Sequence, residues 1–428
     1  MLDLNLIRKN PEDVKKALLK RMNNVDFTGV LEWDKENRRL ITEADKLKAD
    51  RNKVSAQIPV MKKNNEDTTA VFKQMKAVSE QIKELDNKQS EITKKINSFL
   101  ANLPNIPAED VAAGGKENNT VIKTYGSKPV FDFKAKDHVE LVTKLGLIDY
   151  DRGVKLGGNG FWMYKGKGAI LEWALLNYFI ESHLRDGYEF ILPPHILTYA
   201  CGLTAGQFPK FEDDVFLLEN EKNDKQSKQF LLPTAETAII NVHRDEILKE
   251  EDLPKKYFAY TPCYRKEAGS YRTNERGMIR GHQFNKIEMF QFTAPGDSDK
   301  ALEELIEKAE KLVSGLGLHY QVSKLAAGDC SASMAKTYDI EVWIPSMNEY
   351  KEVSSISNAR DYQARRGNIR FKRKDTGKNE FIHSLNASGL ATSRLLPAIC
   401  EQFQLKDGSL KVPEILRKSV GTDILHPE

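Results

Sequence analysis

The sequence predicts an α+β protein in which an N-terminal antiparallel two-helix coiled-coil arm precedes a larger domain of mixed helices and strands. Three observations support this prediction: a long stretch of regular apolar spacing, a pair of strand patterns joined by a polar loop, and mixed α and β patterning after about residue 131. The chain has 428 residues, a length typical of two or three domains.

Composition and charge exclude several classes of protein. No apolar run reaches transmembrane length, and the first residues lack the basic-then-apolar order of a secretion signal. The cysteines are scattered, without a CxxC pair: Cys201, Cys263, Cys330 and Cys400. We therefore expect no structural zinc, no membrane association and a reducing, cytoplasmic setting. The net charge of +3 is too small to indicate nucleic-acid binding by itself.

The arm is the clearest helical signal in the chain. A short helix is expected first, because Asn10 is a suitable N-cap and Pro11 suits the first helical position. From about residue 30 to residue 100, apolar residues then recur at alternating steps of three and four. The polar stretch Asn64–Thr69 divides this region into two helices, each about 45 Å long at 1.5 Å per residue.

The arm is more basic than the rest of the chain. Residues 35–100 hold 12 Lys and 3 Arg against 10 Asp and Glu, a net charge of +5, and the remainder is slightly negative. A charged coiled-coil surface can simply be solvated, can bind protein, or can bind nucleic acid. Charge alone leaves these three interpretations open.

A stretch rich in Pro, Gly and Asn follows the arm and predicts a linker. We divide the chain into an N-terminal domain at 1–104, a linker at 105–130 and a main domain at 131–428. The arm occupies about 30–100 of the first domain.

Two glycine-containing segments fail as nucleotide motifs. Gly157–Gly160 does not follow a convincing strand, and no dinucleotide-binding pattern continues from it. The Gly166-Lys167 pair lacks the earlier Gly of a P-loop, and position 168 is Gly rather than Ser or Thr. Any ATP site must therefore be built without a P-loop.

A basic hairpin is the feature around which the main domain is organised. Residues 257–264 and 284–292 have strand patterns, and the polar loop between them carries Arg272, Arg276 and Arg280. Arg265 is expected just inside the first strand and Arg280 just before the second. Guanidinium groups bind phosphate oxygens in a planar fork, so this pair suits a phosphate chain. On charge alone, however, a solvated surface hairpin is the favoured interpretation of the segment.

Other candidate residues have plain structural interpretations when taken singly. Thr234 and Glu236 begin a helix, where they would act as an N-cap and a favourable first-turn acid. Glu352 and Ser355 would be exposed residues of a strand. The basic run between Arg365 and Lys374 could be a solvated edge or could help to hold an RNA end.

The order of residues in the hairpin resembles motif 2 of the class II aminoacyl-tRNA synthetases, in the version carried by seryl-tRNA synthetases. That version has an Arg-x-Glu strand, a loop opening with Ala-Gly-Ser, an RGxIRxHQF run and a final Glu. The corresponding segments here are Arg265–Glu267, Ala268–Ser270, Arg276–Phe284 and Glu288. The resemblance implies a catalytic domain built on a mixed, mainly antiparallel β-sheet flanked by helices.

Further stretches resemble the same family. They are the motif 1 segment Gly187–Pro194, the serine-binding loop Thr234-Ala235-Glu236, the metal-binding strand Glu352–Ser355 and the motif 3 helix with Arg394. Motif 3 departs from the usual pattern, since Ala387 and Thr392-Ser393 replace more typical small residues. Pro397 should kink that helix or mark a late first turn.

The resemblance also implies roles for individual residues. Arg265 and Arg394 would be catalytic. Serine would be bound by Thr234, Ala235, Glu236, Arg265, Glu288, Asn386 and Ser388. ATP would be bound by Arg265, Lys266, Glu267, Arg280, Phe284, Glu352, Val353, Ser354, Ser355 and Arg394. Glu352 and Ser355 would hold Mg²⁺ on the ATP phosphates, since hard oxygen ligands suit that ion.

The implied activity is that of a serine–tRNA ligase. It would activate L-serine with ATP and transfer serine to tRNA(Ser), and whether tRNA(Sec) is also charged stays open. The arm would bind tRNA, and a homodimer would form near Gly187–Pro194. Two alternatives are a ligase that loads a carrier other than tRNA and a catalytically inactive binding protein. The full basic arm disfavours the first, and the presence of Arg265, Glu267, Glu352 and Arg394 disfavours the second.

Overall fold

The computed structural model of the protein describes residues 1–219, 228–267 and 277–427. Within the predicted motif 2 loop, Ala268–Ser270, Arg272 and Arg276 therefore lie outside the described residues. Contacts within the chain divide it into two compact units. One unit comprises residues 2–16 and 23–103, and the other comprises residue 1, residues 17–22 and residues 104–428.

The first unit is helical. Its helices are α1 (Leu4–Lys9), α2 (Pro11–Leu18), α3 (Thr28–Lys63) and α4 (Thr69–Asn102). The single short helix expected near Pro11 is thus preceded by another. Asp3 caps α1 by accepting a hydrogen bond from the Asn5 N–H group. Pro11 then begins α2, because the first position of a helix needs no N–H donor and suits the fixed φ of proline.

The predicted antiparallel coiled coil is confirmed as the pair α3 and α4. Leu40 and Ala44 on α3 and Ile82 and Ile96 on α4 are buried between helices. Lys48 on α3 and Asp86 on α4 form an ion pair with an Nζ–Oδ1 distance of 2.9 Å. Toward the tip the apolar side chains become more exposed, as at Val60 and Phe72, so the tip depends less on hydrophobic burial.

The second unit mixes helices and strands. Its helices are α5 (His138–Lys144), α6 (Tyr150–Gly157), α7 (Lys167–Arg185), α8 (Tyr199–Ala205), α9 (Ala235–Ile239), α10 (Ser298–Gly315), α11 (Tyr362–Gly367), α12 (Thr392–Gln402) and α13 (Arg417–Val420). Its strands are β1 (Thr120–Tyr125), β2 (Ile148–Asp149), β3 (Met163–Tyr164), β4 (Glu189–Ile191), β5 (Ile196–Thr198), β6 (Leu217–Leu218), β7 (Gln229–Leu231), β8 (Ile247–Lys249), β9 (Lys255–Tyr264), β10 (Gln283–Thr293), β11 (Tyr320–Lys324), β12 (Lys336–Ile344), β13 (Glu349–Arg360), β14 (Arg370–Lys372), β15 (Asn379–Phe381), β16 (His383–Ala391), β17 (Leu410–Lys411) and β18 (Ile424–Leu425).

An eight-stranded sheet forms the centre of this unit, in the order β1-β11-β12-β13-β16-β10-β9-β4. Neighbouring strands are antiparallel except for the parallel pair β4 and β9, so the predicted mixed, mainly antiparallel sheet is confirmed. β1 lies within residues 105–130, the stretch predicted as a linker, and forms one edge of the sheet.

The two faces of the sheet differ in chemistry. Helices α7, α10 and α12 pack on one face, where Ile287 and Met289 of β10 and Ala387 of β16 are fully buried in the main apolar core. Side chains alternate along a strand, so Glu288 and Asn386 leave the opposite face. That polar face carries the candidate site.

The predicted hairpin is confirmed as β9 and β10, which pair from Tyr264 opposite Gln283 onwards. Arg265, expected just inside the first strand, instead follows its last residue, although its N–H group still donates to the His282 carbonyl at 2.9 Å. In the motif 3 helix α12, Arg394 lies in the first turn. Pro397 is the sixth residue of that helix, beyond its first turn, and the helix continues to Gln402.

Gly168 allows the start of α7 to approach the preceding chain closely. A Cβ atom at this position would lie 2.0 Å from the Leu147 carbonyl oxygen, whereas one at Gly296 would meet no atom within 4 Å. We predict that Gly168→Ala lowers the free energy of unfolding by about 1–3 kcal/mol, the usual cost of overpacking. Urea denaturation against Gly296→Ala measures this, and equal midpoints for the two variants would contradict it.

Candidate active site

A cluster of charged side chains is buried on the polar face of the sheet. Glu288 and Lys286 of β10 form an ion pair, and both are almost inaccessible to solvent. Asn386 of β16 donates through Nδ2 to Glu288 Oε1 and to Glu236 Oε2, each at 3.2 Å. Two carboxylates from separate parts of the chain are therefore joined by one amide.

Thr234 connects this cluster to α9. As predicted for an N-cap, its hydroxyl accepts a hydrogen bond from the Glu236 N–H group, at 3.3 Å. The same hydroxyl accepts from Lys286 Nζ at 2.7 Å and donates to Glu288 Oε2 at 3.3 Å. Thr234 therefore caps α9 as predicted and also contacts the buried charged cluster.

The cluster shifts the ionisation of Glu236. Burial and the nearby Glu288 raise the pKa of Glu236 to about 7, while hydrogen bonding from Gln363 and the charges of Lys286 and Arg265 oppose this rise. Glu236 is thus close to its ionisation midpoint at neutral pH. A cationic ligand placed between the two carboxylates would favour the ionised form.

Two members of this cluster were missed by the sequence analysis. Lys286 shares its strand face with Phe284 and Glu288, so the two-residue period was a signal that could have identified it. Gln363 on α11 donates to Glu236 Oε1 at 2.7 Å, and nothing in its local sequence indicates this contact. Only the fold brings these residues together.

Arg265 lies between this cluster and a second polar region. Its Nε atom donates to the Pro233 carbonyl at 3.2 Å, next to Thr234. Its guanidinium lies 5.2 Å from the centre of the Phe284 ring, within the range of a cation–π contact. The predicted catalytic arginine and the predicted adenine platform are thus neighbours.

The other two predicted phosphate ligands are paired with carboxylates. Arg280 forms an ion pair with Glu267. Arg394 Nη1 lies 3.4 Å from Glu352 Oε2 and donates to the Glu352 carbonyl at 2.8 Å. Arg394 Nε also donates to the carbonyl of Ile279, the residue before Arg280, at 3.2 Å. This contact joins motif 3 to motif 2.

The residues predicted to hold a metal lie on β13. Glu352 is partly exposed, and Ser355 pairs with Asp339 across the β12–β13 ladder. Asp339 is almost fully buried and its Oδ1 atom has no hydrogen-bond partner. Burial, reinforced by the charge of Glu352, raises the pKa of Asp339 well above its ordinary value. These oxygen groups suit a hard cation, although the described residues contain no cluster of three or more His, Cys, Asp or Glu side chains placed to hold one.

The remaining predicted site residues have different surroundings. Lys266 is exposed, whereas Ala235 is fully buried. Val353 belongs to the apolar core, and Ser354 donates through its hydroxyl to the Ser388 carbonyl at 2.6 Å. Any ATP contact from Val353 or Ser354 would therefore come from the backbone.

Much of the basic run that begins on α11 is engaged within the protein. Arg365 pairs with Asp361 at 2.7 Å, and Arg366 donates to the Leu203 carbonyl at 3.0 Å. Arg373 pairs with Glu380 at 2.9 Å. These contacts favour a structural role for these three arginines.

Comparison with known proteins places both parts of the chain in one family. Residues 1–107 match the seryl-tRNA synthetase N-terminal domain, and residues 216–403 match the class II tRNA synthetase core domain (G, H, P, S and T). A serine–tRNA ligase of Clostridium acetobutylicum is 67% identical over 426 residues, covering 99% of this chain and all of that protein.

Solved structures agree with this assignment. Seryl-tRNA synthetase from Pyrococcus horikoshii, complexed with ATP, is 33% identical, with a TM-score of 0.89 and complete coverage of both chains. The cytoplasmic serine–tRNA ligase of Naegleria fowleri, in complex with AMP, is 28% identical, with a TM-score of 0.86, covering all of this chain and 99% of that one. The family predicted from the hairpin is thereby confirmed: the chain belongs to the seryl-tRNA synthetases, within the class II aminoacyl-tRNA synthetases.

Proposed function

We propose that this chain activates L-serine with ATP, forming seryl-adenylate and pyrophosphate, and then transfers serine to the 3′ end of tRNA(Ser). The observation that carries this proposal is the buried pocket of Glu236, Glu288 and Asn386 beside Arg265. Such a pocket suits a small zwitterion with a hydroxyl group. ATP as a substrate is supported by the related synthetases solved with ATP and AMP.

The first step joins the serine carboxylate to the α-phosphorus of ATP and breaks the bond to pyrophosphate. The attacking carboxylate is already ionised, so no general base is required. Bringing two anions together requires alignment and neutralisation of charge. Arg265 would supply both, because it lies between the amino-acid pocket and the Phe284 ring.

The ATP-binding half is formed by motifs 2 and 3. Phe284 would stack on adenine, with Glu267 near its amino edge. Arg280 and Arg394 would bind the outer phosphates. Phosphate oxygens would then replace Glu267 as the partner of Arg280 and Glu352 as the partner of Arg394. Guanidinium–phosphate bonds are charge-assisted, so phosphate can replace a carboxylate partner at these sites.

Glu352 and Ser355 would hold Mg²⁺ together with phosphate oxygens and water. When bound, the ion would neutralise phosphate charge and orient the pyrophosphate leaving group. The unpartnered oxygen of buried Asp339 beside Ser355 supports this assignment, since a cation would compensate it.

Serine would be selected by hydrogen bonding. Its ammonium and hydroxyl groups would meet Glu236, Glu288 and Thr234, with Asn386 between the carboxylates. Alanine or glycine would leave these buried groups unpaired. Pockets built to bind a hydroxyl can reject an analogue without one by about 10⁴- to 10⁵-fold.

The arm would bind tRNA. Its excess of Lys and Arg suits a phosphate backbone, and its tip offers an extended, exposed surface. The match of residues 1–107 to a seryl-tRNA synthetase domain favours tRNA over another carrier.

A homodimer would form through the motif 1 segment. Apolar surface is exposed in this segment and on α7, at Phe190, Leu192 and Trp173, and such exposure is typical of a protein interface.

Within the described residues, no helix combines the length and hydropathy that a bilayer span requires.

Serine should dominate ATP–pyrophosphate exchange when the protein amino acids are tested one at a time. The expected ratio of kcat/KM for serine over alanine is about 10⁴ or more, because alanine lacks the hydroxyl. Exchange of labelled pyrophosphate into ATP measures this ratio. A clear preference for another amino acid would refute the proposed function.

Arg265→Ala should lower serine-dependent exchange by about 100- to 1,000-fold, the usual effect of removing one group that neutralises transition-state charge. Circular dichroism should report an unchanged fold. Arg373→Ala is the matched control, because it removes an arginine that pairs with Glu380 and should leave exchange unchanged. Near-normal exchange in Arg265→Ala would exclude this residue from the reaction.

Shortening the arm should separate activation from transfer. Lys48 and Asp86 are paired across the arm, so residues 49–85 can be replaced by a short Gly-Ser turn. Serine activation should be unchanged, whereas kcat/KM for tRNA(Ser) should fall by at least about 10-fold because phosphate contacts are lost. Wild-type charging by the shortened protein would show that the arm does not bind tRNA.

A further inference from the structure

Gln363 lies directly behind Glu236 and is 1% exposed. Its Nε2 atom donates to Glu236 Oε1 at 2.7 Å and to the Ala205 carbonyl at 3.0 Å. Its Oε1 atom accepts a hydrogen bond from the Ser384 hydroxyl at 2.7 Å. The amide therefore links α11 to α8, α9 and β16 through a single side chain.

Chemistry dictates the orientation of this amide. A carboxylate and a backbone carbonyl are acceptors only, so the nitrogen must face Glu236 and Ala205. A flipped amide would place its oxygen against both acceptors and its nitrogen against Ser384. With the nitrogen so placed, the amide oxygen faces β16, where the fully buried Ser384 hydroxyl donates to it and anchors the side chain.

The carboxylate that Gln363 holds belongs to the amino-acid pocket. Asn386 donates to the other oxygen of Glu236 and also to Glu288, so amides on two elements fix the Glu236 carboxylate. The contact with Gln363 is the shorter of the two, at 2.7 Å against 3.2 Å. Both amides donate to the same carboxylate, so the shorter distance identifies the Gln363 contact as the closer restraint on it.

We propose that Gln363 is a positioning residue for serine, whose amide, anchored by Ser384, favours the ionised form of the Glu236 carboxylate and aims it into the amino-acid pocket. This inference rests on the proposed function. Gln363 would not touch serine itself. It would determine how well the pocket binds the amino acid, with no direct part in binding ATP.

The proposal has a distinct pH signature. The charged groups facing Glu236 are Glu288 and Lys286 on β10 and Arg265 after β9, and Glu288 raises the pKa of Glu236 while the two cations lower it. The Gln363 amide also lowers that pKa, because it bonds to the ionised form. Removing the amide should raise the pKa of Glu236 further above about 7. Serine binding would then weaken at neutral pH and recover as the pH rises.

Gln363→Met tests the proposal, because methionine has a similar volume and cannot form these hydrogen bonds. The KM for serine in ATP–pyrophosphate exchange at pH 7 should rise by about 10- to 100-fold, as expected for losing a hydrogen bond to a charged group. The KM for ATP should not change. The pH dependence of 1/KM for serine should shift to more alkaline values than in the wild type.

Gln402→Met is the matched control. Gln402 is also a buried glutamine, and its Nε2 atom donates to the Trp343 carbonyl at 2.8 Å, outside the pocket. Its loss should lower thermal stability without moving the KM for serine or its pH profile. An equal rise in KM in both glutamine variants, or an unshifted pH profile in Gln363→Met, would overturn the positioning role.

Ser384→Ala provides a second test that does not depend on the folding of Gln363→Met. It leaves the Gln363 amide in place but removes the hydroxyl that anchors its oxygen, so the KM for serine should rise in the same direction by a smaller factor. An unchanged KM would overturn the proposal.

The exchange assay on the wild-type protein distinguishes failure of this inference from failure of the proposed function. A wild type without serine preference would refute the function, whereas a serine-specific wild type with unaltered variants would refute only the role of Gln363.

Discussion

Two carboxylates buried within one small pocket are the constraint on which the rest of the site depends. Glu236 and Glu288 repel each other in a region that water hardly reaches, and burial together with this repulsion raises the pKa of Glu236. Lys286 pairs with Glu288, and the amides of Asn386 and Gln363 hold Glu236. These contacts offset the repulsion between the two carboxylates and hold both oxygens of Glu236.

This arrangement requires a sheet that brings distant parts of the chain together. Side-chain alternation on β10 places Glu288 on the polar face while Ile287 and Met289 enter the apolar core. The neighbouring strand β16 contributes Asn386, and α9 contributes Glu236 from the chain before β9. The core fixes the strand register, and the register fixes the distances between the charged groups.

Sequence alone predicted the elements whose signals are local. Apolar spacing predicted the arm, and strand patterning with the motif resemblance predicted the β9–β10 hairpin and the family. It missed Gln363, because a glutamine on a six-residue helix has no pattern that indicates a carboxylate 127 positions earlier. It also placed Arg265 inside β9, although the strand ends one residue before it. The assigned roles of Arg265, Arg280 and Arg394 stay predictions.

The buried charges of the pocket and the exposed charges of the arm should respond differently to salt. Charges in the pocket are buried, so salt screens them little, whereas the arm's lysines and arginines are largely exposed and screened within about 10 Å at 0.1 M salt. Raising the salt concentration should therefore weaken the proposed binding of tRNA by the arm far more than the proposed binding of serine by the pocket. Amino-acid selection would depend on buried hydrogen-bond geometry, and tRNA recruitment on long-range attraction followed by local contacts. A single chain can adjust each property through different residues, because no group that holds Glu236 belongs to the arm.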